Sequence, residues 1–206
     1  GLPGRDFDRQ WLQDVLYSNR HYSAEIMLDD VLTLCAEESP IVVVGGQPVA
    51  VTEACNVLGQ WDRRNRTESI GTHVWTEFWR RAASAPGLYA VPFDPADPVN
   101  TPRGVNLASA AVRTRLMNDL GATVKFFADN GIPLNRPWGQ VHFDLRNGEA
   151  IPIHGGSGGS GVYNAITSSS LIPGAGFAPI LGGSSYIQSV TFTPSGPDAH
   201  AIVTYS

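Results

Sequence analysis

Apolar residues recur every three or four positions through most of residues 1–131, the spacing that aligns them on one face of a helix. In one such stretch Val74, Trp75, Phe78 and Trp79 form an aromatic stripe, which is typical of a packed core and not of a cofactor site. The pattern predicts helices over residues 7–19, from a cap at Ser23 through Leu34, over 48–61 beginning at Pro48, over 70–83 and over 109–129.

The pattern changes after residue 131, where apolar and polar residues alternate as they do in strands. Residues 140–145 and 150–153 flank Asn147-Gly148, a pair that favours a two-residue hairpin turn. Residues 186–193 and 201–205 are predicted to form a second strand pair, with Gly196-Pro197 in its turn. Helices followed by antiparallel strands indicate an α+β fold, so the chain divides into a mainly helical part, 1–131, and a mainly stranded part, 132–206.

Within the mainly helical part, residues 85–102 carry five prolines, which remove backbone donors and fix φ. We expect an extended surface connector there and no strand pair. Residues 154–161 are rich in glycine but lack the lysine of a phosphate-binding loop, and no helix pattern follows them. The sequence therefore predicts a tight backbone crossing at this point and no nucleotide site.

Composition narrows the possible functions. Hydrophobic residues make up 42% of the 206 residues and charged residues 16%, which is compatible with a folded core. The formal net charge of −5 argues against nucleic acid as the main partner, and no apolar run is long enough to predict a membrane span. No metal-binding motif occurs, so we expect neither a metal nor another cofactor.

Few residues suggest catalysis by themselves. His154 could be combined with Ser157 or Ser160, but the strand–turn–helix motif of a nucleophilic serine is missing, and the five histidines are expected to be structural or solvated. Asp29 and Asp30 are adjacent on a helix and point about 100° apart, so they cannot share a proton. Asp30 is expected to bond a basic neighbour, for which Arg20 is one option. The spacing of Cys35 and Cys55 leaves open a disulfide or two buried thiols.

Several stretches, in order along the whole chain, resemble the later part of the large subunit of acylases in the penicillin amidase family. They are Gly1-Leu-Pro-Gly4, Asn19-Arg20, Leu28-Asp-Asp-Val-Leu32, Ala54-Cys55, Phe93-Asp-Pro-Ala-Asp-Pro-Val99, Ile151-Pro-Ile-His-Gly-Gly156, Gly161-Val-Tyr-Asn164 and Ser184-Ser-Tyr-Ile-Gln188.

The resemblance implies a secreted or periplasmic N-terminal nucleophile hydrolase with an αββα four-layer sandwich, processed by self-cleavage. Such an enzyme uses an N-terminal Ser to remove an acyl chain from a cyclic lipopeptide, an acyl-homoserine lactone or a penicillin-type amide. Residue 1 is Gly, and the family's catalytic residues are expected outside this chain. The implied partners are therefore the small subunit and the N-terminal part of the large subunit that carries the Ser.

Three further expectations follow from the resemblance. Secretion favours a disulfide between Cys35 and Cys55. Thr191 matches a position at which some relatives carry a Glu that orients an active-site His. Because strand residues alternate, Ser189 and Thr191 are expected to look toward the reaction centre, behind the groups that touch substrate, while Val190 and Phe192 pack against this chain's helices. The alternative function is a non-catalytic α+β binding module, and a second polypeptide that begins with Ser would argue against it.

Overall fold

A computed structural model describes residues 8–203 of the chain. Five α-helices lie in this part, all before residue 130. They are α1 (Arg9–Tyr17), α2 (Tyr22–Glu37), α3 (Thr52–Gln60), α4 (Thr72–Ala82) and α5 (Ala110–Asp129).

The strands of residues 8–203 are short and pair two by two in antiparallel sheets. The pairs are β1 (Ile41–Val44) with β2 (Gln47–Ala50), β3 (Tyr89–Val91) with β4 (Arg103–Val105), β5 (Phe143–Arg146) with β6 (Glu149–Pro152), β7 (Ile166–Ser168) with β10 (Ile180–Gly183), β8 (Leu171–Ile172) with β9 (Gly176–Phe177), and β11 (Tyr186–Thr193) with β12 (Gly196–Val203).

The core lies among α2, α4 and α5. Trp75 and Phe78 of α4 are fully buried, and the rings of Trp75 and Trp79 stack with centroids 5.8 Å apart. The aromatic stripe on α4 is therefore core, as predicted. Among the described residues, no helix has both the length and the apolar character needed to cross a membrane.

A disulfide joins Cys35 of α2 to Cys55 of α3, as predicted, and no described cysteine is free. The bond closes a 20-residue segment of the chain and ties α3 to the core helix α2. This segment contains the β1–β2 hairpin, which packs on α5 through Val42 at Gly121, where any side chain would collide with Val42.

Two predicted element boundaries are wrong. Pro48 does not open a helix: it pairs with Val43 inside β2, and α3 begins at Thr52. A two-stranded sheet has only edge strands, where the missing N–H of proline is tolerated. Residues 85–102 are not merely a connector, because β3 lies within them and pairs with β4 just beyond.

The predicted cap at Ser23 is wrong, whereas Ser109, at the predicted start of another helix, does act as a cap. Ser109 caps α5 by accepting a hydrogen bond from the Val112 N–H at 3.3 Å. Ser23 is not a cap, because α2 begins at Tyr22 with His21 before it. The Ser23 hydroxyl instead accepts a hydrogen bond from the Trp75 indole N–H at 3.0 Å, inside the core.

The predicted pairing of Asp30 with Arg20 is also wrong. Asp30 accepts a hydrogen bond from the Val105 N–H at 2.7 Å, which anchors β4 to α2. Arg20 instead binds both carboxylate oxygens of Glu25, in the first turn of α2, at 2.6 Å. The neighbouring Asp29 forms an ion pair with Arg63, so the two adjacent aspartates bind different partners.

The strand predictions after residue 131 agree with the structure in outline. Asn147 and Gly148, with φ of 52° and 84°, form the turn that connects β5 to β6. The glycine-rich stretch makes the expected close crossing: a Cβ at Gly155 would lie 2.6 Å from the Asn164 carbonyl oxygen. β12 begins at Gly196, earlier than predicted, and residues 204 and 205 lie outside the described part.

The two faces of the β11–β12 hairpin are reversed relative to the prediction. Phe192 is 85% exposed and Val190 38%, whereas Ser189 is only 8% exposed. Helix α1 contacts β11, and Arg9 of α1 forms a 2.5 Å ion pair with Asp198, the residue opposite Thr191. Opposite residues in an antiparallel pair share a face, so α1 covers the side of Ser189 and Thr191.

Candidate functional site

The two residues expected near a reaction centre lie side by side under α1. The hydroxyl of Ser189 is buried and has no hydrogen-bond partner among the described residues. The Thr191 hydroxyl donates to the Asp198 carbonyl oxygen at 3.5 Å, which is a weak bond. Neither residue lines either of the two clefts described below, although Ile187, on the same face of β11, lines one of them.

That cleft, of about 340 Å³, opens beside the start of β11 and is the candidate site. Its walls come from the end of α1, the β5–β6 hairpin and the β7–β10 pair. Most of its surface is apolar, with a small number of polar groups among the lining residues. The residues that line it are Tyr17, Asp144, Arg146, Ile151, Ile153, His154, Asn164, Ile166, Ile180, Gly182, Gly183, Ser184, Ser185 and Ile187.

His154 and Asn164 line the cleft and form a cluster of polar side chains with Asn19. Nδ1 of His154 lies 3.1 Å from Oδ1 of Asn19 and 3.1 Å from Nδ2 of Asn164. Nδ2 of Asn164 also donates to Oδ1 of Asn19 at 3.3 Å. Asn19 has a φ of 53°, a left-handed conformation that asparagine tolerates better than most residues, and its carbonyl oxygen accepts from the Asn65 N–H.

The state of His154 follows from this environment. Partial burial lowers the pKa of His154 below its usual value, so the ring is neutral at pH 7. When Nδ1 accepts from the Asn164 amide, the proton of the neutral ring is on Nε2. In the other neutral tautomer Nδ1 carries the proton and donates to Oδ1 of Asn19, so the two asparagines engage the Nδ1 side of the ring in either state.

The ion pair between Asp144 and Arg146 also lines the cleft. Nε of Arg146 donates to Oδ2 of Asp144 at 2.6 Å, and the Ile180 N–H donates to Oδ1 at 3.2 Å. The bond from Ile180, followed by Arg146, lowers the pKa of the Asp144 carboxyl, which is ionised at neutral pH. Asp144 thereby fastens β5 to β10 and fixes one edge of the opening.

A second cleft, of about 380 Å³, lies between α4 and the β7–β9 region. Glu77 is buried at its edge and binds both Arg80 and Arg81. Ser157 lines this second cleft while His154 lines the candidate site, and the Ser160 hydroxyl donates to the Ser157 carbonyl oxygen. The structure therefore does not assemble a serine–histidine pair from these residues.

Three other histidines are buried, as structural histidines are. Burial lowers the pKa of His21 to about 3 and that of His73 to about 4, and it also lowers the pKa of His142. The ring of His142 stacks on Trp138 at 4.5 Å. No group of residues within 8–203 has the geometry of a metal site.

The sequence reasoning did not single out Asn19 and Asn164 as site residues. Both lie within stretches that carry the family resemblance, Asn19-Arg20 and Gly161-Val-Tyr-Asn164, which was the available signal. The contacts of Asn19 with His154 and Asn164 join positions separated by more than 130 residues and could not be predicted from local pattern.

Comparison with known families identifies the class. The pattern of the family described as Penicillin amidase matches residues 2–206, and the chain belongs to this family. Its relatives include aculeacin-A acylase of Actinoplanes utahensis, which is 36% identical over the full chain. The acyl-homoserine lactone acylase PvdQ of Pseudomonas syringae pv. syringae (strain B728a) is 34% identical over 95% of the chain. The matched regions cover 25% and 24% of those two proteins, so the chain spans about a quarter of their length.

Proposed function

We propose that this chain is a segment of a secreted or periplasmic acylase that removes a fatty or aromatic acyl group from an amide. The observation that carries the proposal is the family match over residues 2–206 together with 36% identity to an acylase. The names of the relatives favour a cyclic lipopeptide or an acyl-homoserine lactone as substrate over a penicillin-type amide. The disulfide between Cys35 and Cys55 supports an oxidising compartment.

The nucleophile of this proposed enzyme is an N-terminal Ser on a part of the protein outside residues 1–206. Its α-amino group would activate the hydroxyl, and backbone and amide donors would stabilise the tetrahedral oxyanion. This chain would supply the helical core and the candidate cleft as part of one large subunit. Its β11–β12 hairpin, which has one open apolar face, would extend a larger sheet in a four-layer αββα sandwich.

The test uses the complete protein exported to the periplasm. Intact mass of the purified chains should show cleavage that exposes an N-terminal Ser, and the product should hydrolyse an acyl-homoserine lactone or a cyclic lipopeptide. The separately purified 206-residue chain should have no acylase activity. Hydrolysis by that chain alone would contradict the assignment of the nucleophile, and an uncleaved, inactive complete protein would favour a binding module.

A further inference from the structure

The second cleft, between α4 and the β7–β9 region, combines aromatic rings with hydroxyl groups. The rings in its lining are those of Phe126, Trp138 and Phe177. The hydroxyls in its lining are those of Thr76, Ser157, Thr167, Ser168, Ser169 and Ser170. A hydroxyl both donates and accepts, so this lining can bond to ligand hydroxyls in either direction. The volume of about 380 Å³ lies in the range of small-molecule pockets.

The two charged residues in the lining of this cleft, Glu77 and Arg80, neutralise each other. Glu77 is buried and accepts hydrogen bonds from Nε and Nη2 of Arg80 at 2.9 and 2.7 Å. It also binds Arg81, which does not line the cleft. An ionic ligand would lose its hydration here without gaining an unpaired opposite charge. The lining therefore suits a neutral polar molecule.

His142 adds a hydrogen-bond acceptor to this lining. It is 1% exposed, and its ring stacks on Trp138. Burial lowers the pKa of His142, so the ring is neutral at pH 7. Nδ1 lies 2.9 Å from the Ile153 carbonyl oxygen, which can only accept, so Nδ1 carries the proton. Nε2 is then an unprotonated acceptor, and it has no hydrogen-bond partner among residues 8–203.

We propose that the second cleft binds a neutral sugar ring, with its C–H face on the aromatic rings and its hydroxyls bonded to Nε2 of His142 and to the serine and threonine hydroxyls. A pyranose has an apolar face of C–H groups and a rim of hydroxyls, which matches the mixture in this lining. Its polarised C–H groups are attracted to the negative face of an aromatic ring. The proposal goes beyond the function proposed above, because it concerns a different cleft and does not depend on acyl-amide hydrolysis.

The test is saturation-transfer difference NMR of the complete protein with the methyl glycosides of glucose, galactose and mannose. At least one glycoside should show saturable transfer from the protein to its ring C–H protons. Sorbitol has similar hydroxyls but no rigid C–H face, so it should bind more weakly. Sodium gluconate should also bind more weakly, because its charge would have to leave water.

The first variant removes the proposed acceptor. His142→Phe keeps a flat ring against Trp138 but lacks Nε2, so it should weaken glycoside binding by about fivefold or more. His73→Phe is the matched control, because His73 is also buried and bonded to a backbone carbonyl oxygen, that of Pro133, but does not line the cleft. The control should bind the glycoside as the parent does.

A second variant keeps the test decisive if His142→Phe disturbs the contact with Ile153. Ser170 is exposed, so Ser170→Trp should fold while filling the cleft, and it should abolish saturable transfer. The absence of saturable transfer to all three glycosides overturns the proposal, as does affinity that neither His142→Phe nor Ser170→Trp changes. Equal losses in His142→Phe and His73→Phe, with Ser170→Trp still binding, also overturn it.

Discussion

The helical core and the β11–β12 hairpin differ in what covers their apolar residues. Within the core, Trp75, Phe78 and Leu120 are completely buried by neighbours from this chain. On the hairpin, the face that carries Tyr186, Val190 and Phe192 is open, and the residues opposite them on β12 include Pro197 and Ala199. The core is closed among the described residues, whereas the hairpin presents a surface that residues 8–203 do not cover.

This difference agrees with the length of the relatives, of which the chain spans about a quarter. It also shows why the hairpin faces were predicted the wrong way round. The more apolar face was expected to meet the helices, but the nearest helix, α1, covers the other one through Arg9 and Asp198. Hydrophobicity identifies the face that needs a partner and does not say whether the partner belongs to the same chain.

The largest contrast between the two regions should be seen on removing one aromatic side chain from each. Trp75→Ala should lower the free energy of unfolding by about 3–5 kcal/mol, because it leaves a large cavity in a closed core. Phe192→Ala should change it by less than about 0.5 kcal/mol in the 206-residue chain, because the ring is already in water. Urea denaturation of both variants measures the difference.

The same pair of variants in the complete protein sharpens the comparison. There Phe192→Ala should become clearly destabilising if the remaining polypeptide covers the open face. An equal, small effect of Phe192→Ala in the chain and in the complete protein would show that this face stays in water.

Reducing the disulfide should have the next largest effect. Closing about 20 residues stabilises a fold by roughly 3 kcal/mol in the chain-entropy model, so reductant should lower the free energy of unfolding by about that amount. A Cys35→Ala/Cys55→Ala double variant provides the control, since it should already be less stable and should not respond to reductant. A parent chain whose denaturation midpoint ignores reductant would contradict a stabilising role for this bond.

Acid should destabilise the core through its buried histidines. His21 has a folded pKa of about 3 and an unfolded value near 6.5, so protons bind the unfolded state first as the pH falls. The stability present above pH 6.5 should fall by about 1.4 kcal/mol per pH unit for this one residue until the pH approaches 3. His73, with a pKa of about 4, should add to the loss.

Urea denaturation between pH 7 and 4 measures this slope. In His21→Gln the free energy of unfolding should fall less steeply as the pH is lowered, because the variant removes one titrating group from the core. Ser23→Ala is the control. It removes the hydroxyl 3.2 Å from Nδ1 of His21 but leaves the imidazole, so the steep pH dependence of the free energy of unfolding should remain. Identical slopes in the parent and in His21→Gln would show that this histidine does not titrate on unfolding.

Local pattern was sufficient to predict the helices, the Asn147-Gly148 turn and the buried stripe of α4, because each depends on residues a few positions apart. It failed at Pro48, which lies in a strand of a two-stranded sheet. Both strands of such a sheet are edge strands that tolerate proline, and whether a strand is at an edge cannot be read from the proline itself. It could not predict the cluster of Asn19, His154 and Asn164, because the contact of Asn19 with His154 joins distant parts of the chain. The disulfide was predictable only through the resemblance, since spacing alone left free thiols open.

The smallest expected effect concerns Thr191 in the complete protein, measured on the acyl-amide hydrolysis proposed above. The resemblance placed Thr191 behind the groups that touch substrate. Because α1 covers its face of the hairpin, we propose that Thr191 acts only through a hydrogen bond within the hairpin and without the negative charge that a Glu would supply. In the described structure its hydroxyl makes one long bond, 3.5 Å to the Asp198 carbonyl oxygen, within the hairpin. Thr191→Val removes this bond and keeps the shape of the side chain. It should therefore raise the activation barrier by about 0.5–1.5 kcal/mol, a loss in kcat/KM of about tenfold or less.

The control is Thr193→Val, the same change two residues further along β11, where the hydroxyl donates to the Gly196 carbonyl oxygen in the turn. It should leave kcat/KM unchanged. Separate measurement of kcat and KM, together with the pH profile of kcat, distinguishes a positioning effect from a loss of folded protein, which would scale kcat alone at every pH. A thousandfold loss in Thr191→Val, with Thr193→Val active, would mean that Thr191 takes part directly in orienting the reacting groups, because one weak hydrogen bond cannot account for so large a change in barrier.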